Sequence, residues 1–235
     1  MESQIKEYYE KTSERFWSPE KPEGRDLHVI PLIDKRGGRF LEYGFGCGSL
    51  LFSQVGNFDE VIGYDISSRL IQKAETYKRQ LPENERGKIK FFIAEGDRLQ
   101  KIESGSVDLL VSVATIEHMF DLYGILDEFH RVVKPGGRLV VSVPNYGYLK
   151  HRLSLLIGRQ PRTGTDEPVE NWRQCGWDGG HLHTFTKSAF KVLLEDTGWR
   201  PVRWSGWGNR FSSIRARFPG ILSGELFAVC ERVAR

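Results

Sequence analysis

The chain has 235 residues, 39% hydrophobic and 28% charged, proportions that exclude a disordered or fibrous chain and allow one domain with a real core. A net charge of +3 is too mild to announce a nucleic-acid binder, and the dispersed Cys47, Cys175 and Cys230 exclude a disulfide framework or a CxxC zinc site. No apolar run reaches membrane-span length, and Met1-Glu2-Ser3-Gln4 lacks the basic start and apolar stretch of a secretory signal, so the expected home is the cytoplasm.

Residues 1–30 read as a polar, amphipathic lead-in outside any sheet. Gly38–Tyr43 predicts a strand, followed by a glycine-rich turn and a helix over Cys47–Val55. Glu60–Tyr64 is a second strand ending on Asp65, and Ser67 is placed to cap a helix running to about Gln80. Lys88–Ala94 and Val107–Val113 are two further strands. Asp121–Val133 predicts a helix, with Leu122, Ile125, Leu126, Phe129 and Val133 at helical spacing. Lys134-Pro135-Gly136-Gly137 reads as a turn and Arg138–Val143 as a strand. This alternation predicts βαβ units and a largely parallel sheet covered on both faces.

The alternation lapses over residues 144–185, rich in Gly, Pro, Arg and aromatics, which read mostly as an insertion. Within it Leu149, Leu153, Leu156 and Ile157 form a helical stripe beside Lys150, Arg152 and Arg159. The expectation is a helix packed on the domain, with peripheral membrane contact as the alternative. Ser188–Glu195 resumes as a helix closed by Gly198, and Pro201–Trp207 and Leu226–Glu231 are final strands. From Trp199 to Pro219 the chain carries Arg200, Arg203, Arg210, Arg215 and Arg217 and no acid.

The chemistry concentrates at Leu41-Glu42-Tyr43-Gly44-Phe45-Gly46-Cys47-Gly48, a strand-to-helix turn. Glycines let a ligand approach the main chain, and the helix start behind them offers free N–H groups. Asp65 lies at the end of the next strand, where a carboxylate can accept hydrogen bonds from both ribose hydroxyls. Together they predict a nucleoside-containing cofactor. The dinucleotide fingerprint fails at its third glycine position, which falls on Ser49; that argues against NAD-dependent oxidoreduction.

These motifs resemble the class I S-adenosylmethionine-dependent methyltransferases, in their small-molecule branch of type 11/12. Glu42-x-Gly44-x-Gly46-x-Gly48 matches the first motif, Gly63-Tyr64-Asp65-Ile66-Ser67 the second and Ala94-Glu95-Gly96-Asp97 the third. Val107–Ser112 with Ile116-Glu117-His118 resembles the fourth, and Glu128–Arg138 through Val143-Pro144-Asn145 the segment around the fifth strand. Gly180–Thr186 and Leu193–Trp199 are similar to the distal part of that branch.

The resemblance implies a Rossmann-like seven-stranded α/β fold over one domain, residues 1–235, with residues 1–30 as a lid and 144–185 recognising the substrate. It implies S-adenosylmethionine as cofactor, bound by Glu42, Gly44, Gly46, Gly48, Asp65, Ile66, Asp97 and Arg98. Glu117 and His118 follow the fourth strand, where an imidazole near neutrality can take a proton from an acceptor hydroxyl; His181 is the second candidate base. Trp17, Tyr146, Trp172, Trp177 and His183 are expected around the substrate. Quinol-type relatives carry an additional acid suited to a metal where this chain has Ala114, so no metal is expected. The expected partner is a small molecule methylated at oxygen. RNA or protein methylation is the enzyme rival, resting on the arginine run; a non-catalytic cofactor-binding module is the other.

Overall fold

The computed structural model describes residue 10 and residues 17–95, 98–207 and 212–235. Seven strands, β1 (Arg39–Tyr43), β2 (Glu60–Asp65), β3 (Ile89–Ile93), β4 (Val107–Val113), β5 (Val133–Pro144), β6 (Trp199–Trp207) and β7 (Glu225–Arg232), form one sheet in the order β3-β2-β1-β4-β5-β7-β6. Every pairing from β3 across to β5 is parallel, and β7 runs antiparallel between β5 and β6. The predicted parallel α/β architecture is therefore the observed one.

Successive strand residues point to opposite faces, and both faces here are apolar. Leu41, Ile62, Leu110 and Val141 enter one core with Ile125, Leu126 and Phe129 of helix α5 (Leu122–Val132). Their immediate neighbours Phe40, Val61, Leu109 and Val140 enter the other, with Leu50 and Leu51 of α2 (Ser49–Ser53). Burial on both sides explains why these strands are continuous apolar runs rather than alternating ones.

Local chemistry sets the helix starts. The Ser67 hydroxyl accepts the Leu70 N–H at 3.2 Å and opens α3 (Ser68–Lys78) as expected. The Glu10 carboxylate adds an acceptor there, 2.7 Å from the Ser68 N–H, where negative charge suits the helix dipole. Thr186 caps α8 (Lys187–Asp196), accepting from the Ala189 N–H at 3.3 Å, so the helix starts one residue before the expected Ser188.

Several expectations change. Lys134–Gly137 is not a separate turn: β5 runs through it, with an irregularity that shifts the register between Val107↔Val133 and Leu109↔Arg138. The lead-in contributes α1 (Arg25–Val29) and a 3-10 turn, whose Val29 and Leu32 are buried in the second core; residues 1–9 and 11–16 lie outside the described residues. Short helices α4 (Glu83–Arg86), α9 (Ser212–Arg217) and α10 (Pro219–Leu222) lack a long apolar period and escaped the sequence reading. The insertion holds α6 (Leu149–Leu156) and α7 (Trp172–Cys175).

The α6 stripe is not packed on the domain. Leu153 is 53% exposed and Leu156 80%. The helix docks instead through His151, which is buried, donates from Nδ1 to the Asn145 carbonyl at 2.9 Å and stacks edgewise 5.3 Å from Tyr148. A polar anchor on one face leaves the apolar face in solvent. Among the described residues no helix is long and apolar enough to cross a membrane.

Candidate active site

Strand order reverses between β1 and β4, and ligands of open α/β sheets bind at the carboxyl ends of strands flanking such a point. The loop after β1 carries Gly44 (φ 78°), Gly46 (φ 47°) and Gly48 (φ 81°), all left-handed, which side chains resist. Gly44 is also sterically required: a Cβ there would lie 2.4 Å from the Thr115 hydroxyl. That close approach joins the glycine loop to the loop after β4.

Asp65 ties the other side of this loop. One carboxylate oxygen accepts the Gly46 N–H at 3.0 Å and the other the Ser67 N–H at 2.9 Å, while burial lifts its pKa to about 6. Glu42, at the end of β1, is buried; burial pushes its pKa well above the usual range, and Asp26 and Asp65 add to the effect. Its Oε2 has no hydrogen-bond partner. A buried acceptor left unpaired beside two further carboxylates fits a ligand bringing a cationic donor, as the ammonium of S-adenosylmethionine would. Ile66 is half-buried just beyond β2. Arg98 is exposed and its backbone forms an isolated antiparallel β-bridge with Glu95; Asp97 lies outside the described residues.

Beyond β4 the backbone turns sharply through Ala114 (φ 49°), unusual for a residue with a side chain. The turn is held by a relay: the Ala114 N–H donates to Ser142 Oγ at 3.0 Å, Ser142 donates to Glu225 at 2.6 Å, and Arg25 Nε donates to the other Glu225 oxygen at 2.8 Å. A 3-10 turn over Ile116–His118 follows. Glu117 is fully buried, and neither carboxylate oxygen has a hydrogen-bond partner. Burial pushes its pKa up to about 8, with the Glu225 charge raising it further and Arg25 opposing.

The two histidines are oriented through Nδ1. His118 Nδ1 lies 3.0 Å from the Gly180 carbonyl; a carbonyl only accepts, so Nδ1 carries the hydrogen and Nε2 is the basic atom. Thr163 Oγ1 donates to Asp178 at 2.5 Å and lies 2.8 Å from His181 Nδ1. With the hydroxyl proton committed to Asp178, Nδ1 of His181 donates as well. His181 Nε2 then faces Glu117 Oε1 at 3.8 Å, and the imidazole centroids are 4.7 Å apart. Burial lowers the pKa of both rings; for His181, to about 4, with His118 adding to the effect. Both are neutral bases at neutral pH. Glu117, His118 and His181 also each offer a ligand atom within 4.8 Å of the others and could hold a metal ion. The expectation of no metal rested on Ala114; the fold brings a distant histidine to the same place.

The predicted substrate residues disperse. Trp17 packs over the glycine loop, its ring 3.2 Å from where a Gly48 Cβ would sit and 6.4 Å from Phe52. Trp172 is buried, donates from Nε1 to the Glu167 carbonyl at 3.0 Å and meets the largely exposed Trp177 edge-on at 5.0 Å. Tyr146 accepts from Gln160 at 2.6 Å, and His183 donates to the Met119 carbonyl at 2.9 Å. None of these five lines the cavity of about 680 Å³ that contains Glu117, His118 and His181; its other walls include Arg25, Lys150 and Arg215. Those three cations were missed as site residues. The acid-free arginine run was the available signal for Arg215 and the basic flank of the α6 stripe for Lys150; Arg25 carried none. The run is also less free than its sequence suggests: Arg200 pairs with Glu231 at 2.6 Å and Arg215 donates to the Leu222 carbonyl at 2.7 Å, while Arg210 lies outside the described residues.

The family model described as a methyltransferase domain matches residues 7–203. Trans-aconitate 2-methyltransferase of Deinococcus radiodurans is 28% identical over 177 residues, 74% of this chain and 62% of that protein. The mitochondrial ubiquinone biosynthesis O-methyltransferase of Homo sapiens is 25% identical over 139 residues, 59% of this chain and 37% of that protein. The chain thus spans less than two thirds of the length of these relatives. A solved S-adenosylmethionine-dependent methyltransferase from Mesorhizobium loti shares the fold with a TM-score of 0.65 at 17% identity, over 88% of this chain and 96% of that one.

Proposed function

The chain belongs to the methyltransferase-domain family, whose cofactor is S-adenosylmethionine, and on that premise we propose that it methylates a small-molecule acceptor at oxygen. The observation that carries this reading is the contact of the two half-sites: Gly44 abuts Thr115, two residues before the Glu117–His118 pair.

S-adenosylmethionine supplies, when bound, a methyl group on a sulfonium. Glu42 would meet its ammonium, Asp65 its ribose hydroxyls, and Ile66, Asp97 and Arg98 its adenine, with the three glycines giving the main chain close approach. Residues 1–30 would cover the cofactor; Trp17, which lies on the Gly48 turn, supports that part of the division. Residues 144–185 would select the acceptor, supported by Lys150, Thr163 and His181 in the cavity wall. An acceptor hydroxyl within reach of His118 or His181 Nε2 loses its proton to that neutral imidazole as its oxygen becomes nucleophilic. Positioning of the two reactants carries much of the remaining acceleration. The pairing of Arg200 and the cavity position of Arg215 favour a small acceptor over RNA, as do the activities for which the two relatives are named.

A second reading is favoured by the unpartnered Glu117 oxygens: a divalent cation held by Glu117, His118 and His181 would orient the acceptor oxygen directly. Turnover of labelled S-adenosylmethionine against hydroxylated small molecules, with and without prior chelation, tests both. Product insensitive to chelator and lost in His118→Ala supports the base; product lost on chelation and restored by a divalent ion supports the cation. No methyl transfer to any small molecule, with cofactor bound, would sink both.

A further inference from the structure

An apolar groove of about 720 Å³ runs beside the polar cavity. One wall is α6 with its C-terminal neighbour, contributing Leu149, Leu153, Leu156 and Ile157; Ile214 of α9 and Leu222 of α10 lie opposite. A contiguous exposed apolar surface rimmed by polar residues is a feature of binding sites. Here it does not stand alone. Tyr148, Lys150 and Arg215 line both the groove and the polar cavity, so the two spaces meet at a pair of cations.

That junction is built rather than incidental. The Arg215 guanidinium sits 5.6 Å from the centre of the Tyr148 ring and donates to the Leu222 carbonyl at 2.7 Å, which holds its charge at the boundary. Arg25, which lines the polar cavity, pairs with Glu225. The residues described as lining the groove include Lys150 and Arg215 and no acid, so the groove meets the cavity at a positively charged rim.

We propose that groove and cavity form one acceptor site for an anionic amphiphile: an apolar tail along α6, a carboxylate or phosphate at Lys150 and Arg215, and the methyl-accepting hydroxyl at His118 and His181. This deepens the proposed function and rests on it. The eight residues of α6 extend about 12 Å, room for an extended alkyl or prenyl tail rather than a single ring. Charge complementarity selects an anion over a neutral or cationic head group. The apolar stripe that the fold leaves in solvent thereby gains a partner carried by the substrate itself.

Calorimetric titration of the whole protein, loaded with S-adenosylhomocysteine, with alkyl phosphates below their micelle concentrations tests the assignment. Affinity rises by about two- to fourfold per methylene from octyl to dodecyl phosphate, and dodecyl phosphate binds at least tenfold tighter than dodecanol or inorganic phosphate. Leu153→Glu and Leu156→Glu, at solvent-facing positions, each weaken dodecyl phosphate at least tenfold and leave S-adenosylhomocysteine affinity unchanged; Lys150→Gln removes the preference for phosphate over alcohol. Chain-length independence, or wild-type affinity in both glutamate variants, overturns the proposal. So does loss of binding to phosphatidylglycerol vesicles in those variants with dodecyl phosphate affinity intact, which would make the groove a membrane contact. If S-adenosylhomocysteine itself does not bind, the methyltransferase reading fails; if it binds and the amphiphiles do not, only this inference does.

Discussion

His181 Nε2 lies 3.8 Å from Glu117 Oε1, although one residue follows β4 and the other closes the insertion. The pair brings a basic nitrogen against a buried carboxyl, and His118 joins from the adjacent position. This geometry makes both imidazoles bases with their Nδ1 hydrogens already committed.

The first prediction concerns those bases. His118→Ala or His181→Ala, whichever ring takes the proton, lowers kcat by about 10²–10⁴-fold with S-adenosylmethionine affinity nearly unchanged. The corresponding Gln variant, which retains a hydrogen bond but no base, is almost as slow. Full activity in His118→Gln and in His181→Gln would mean that the rings only position the acceptor.

The pH profile follows from burial. An imidazole of ordinary pKa would place the acid limb of kcat near pH 6–7. Burial lowers both rings, His181 to about 4, so the limb should lie below about pH 6.5 and the rate be flat above it up to mildly alkaline conditions. A half-maximal point above pH 7 with chemistry rate-limiting would contradict the assignment.

Glu117 gives a stability prediction of opposite sense. Its folded pKa, about 8, stands above the ordinary 4.5, so its neutral form is the one the fold accommodates. Its contribution is fully present below about pH 4.5 and is lost as pH rises through about 8. Thermal unfolding of wild type and Glu117→Gln should diverge between these limits, the variant gaining relative stability at alkaline pH. Parallel curves would show that the carboxylate is ionised and paired at neutral pH.

The strands were legible because a parallel sheet buried on both faces needs uninterrupted apolar runs, and Val107–Val113 is such a run. The glycine loop, Glu42 and Asp65 were legible because neighbouring segments carry them. The acceptor side was not. Arg25, Lys150, Thr163 and Arg215 sit in locally polar sequence and meet only through tertiary packing. Trp172 looked like a ligand platform for the reason it is structural: its ring fills the insertion and its Nε1–H is spent on Glu167. The α6 stripe had the period of a packed helix, and nothing in that period shows that His151 takes the buried side.

Asp65 should prove both ligand and brace. Asp65→Ala weakens S-adenosylmethionine by about 1.5–3 kcal/mol, the worth of hydrogen bonds to a charged group, and leaves the Gly46 and Ser67 N–H groups without their acceptor. Calorimetry on the folded variant showing unchanged affinity would remove the ribose assignment.

Methyl transfer itself separates a small-molecule enzyme from its rivals. Purified protein with radiolabelled S-adenosylmethionine is offered separate small-molecule, RNA and protein fractions, and the labelled fraction is identified. Label is expected in the small-molecule fraction, on oxygen, and is lost in the His118→Ala/His181→Ala double variant. Label in the RNA or protein fraction, or on small molecules equally with that folded variant, would contradict the proposed function.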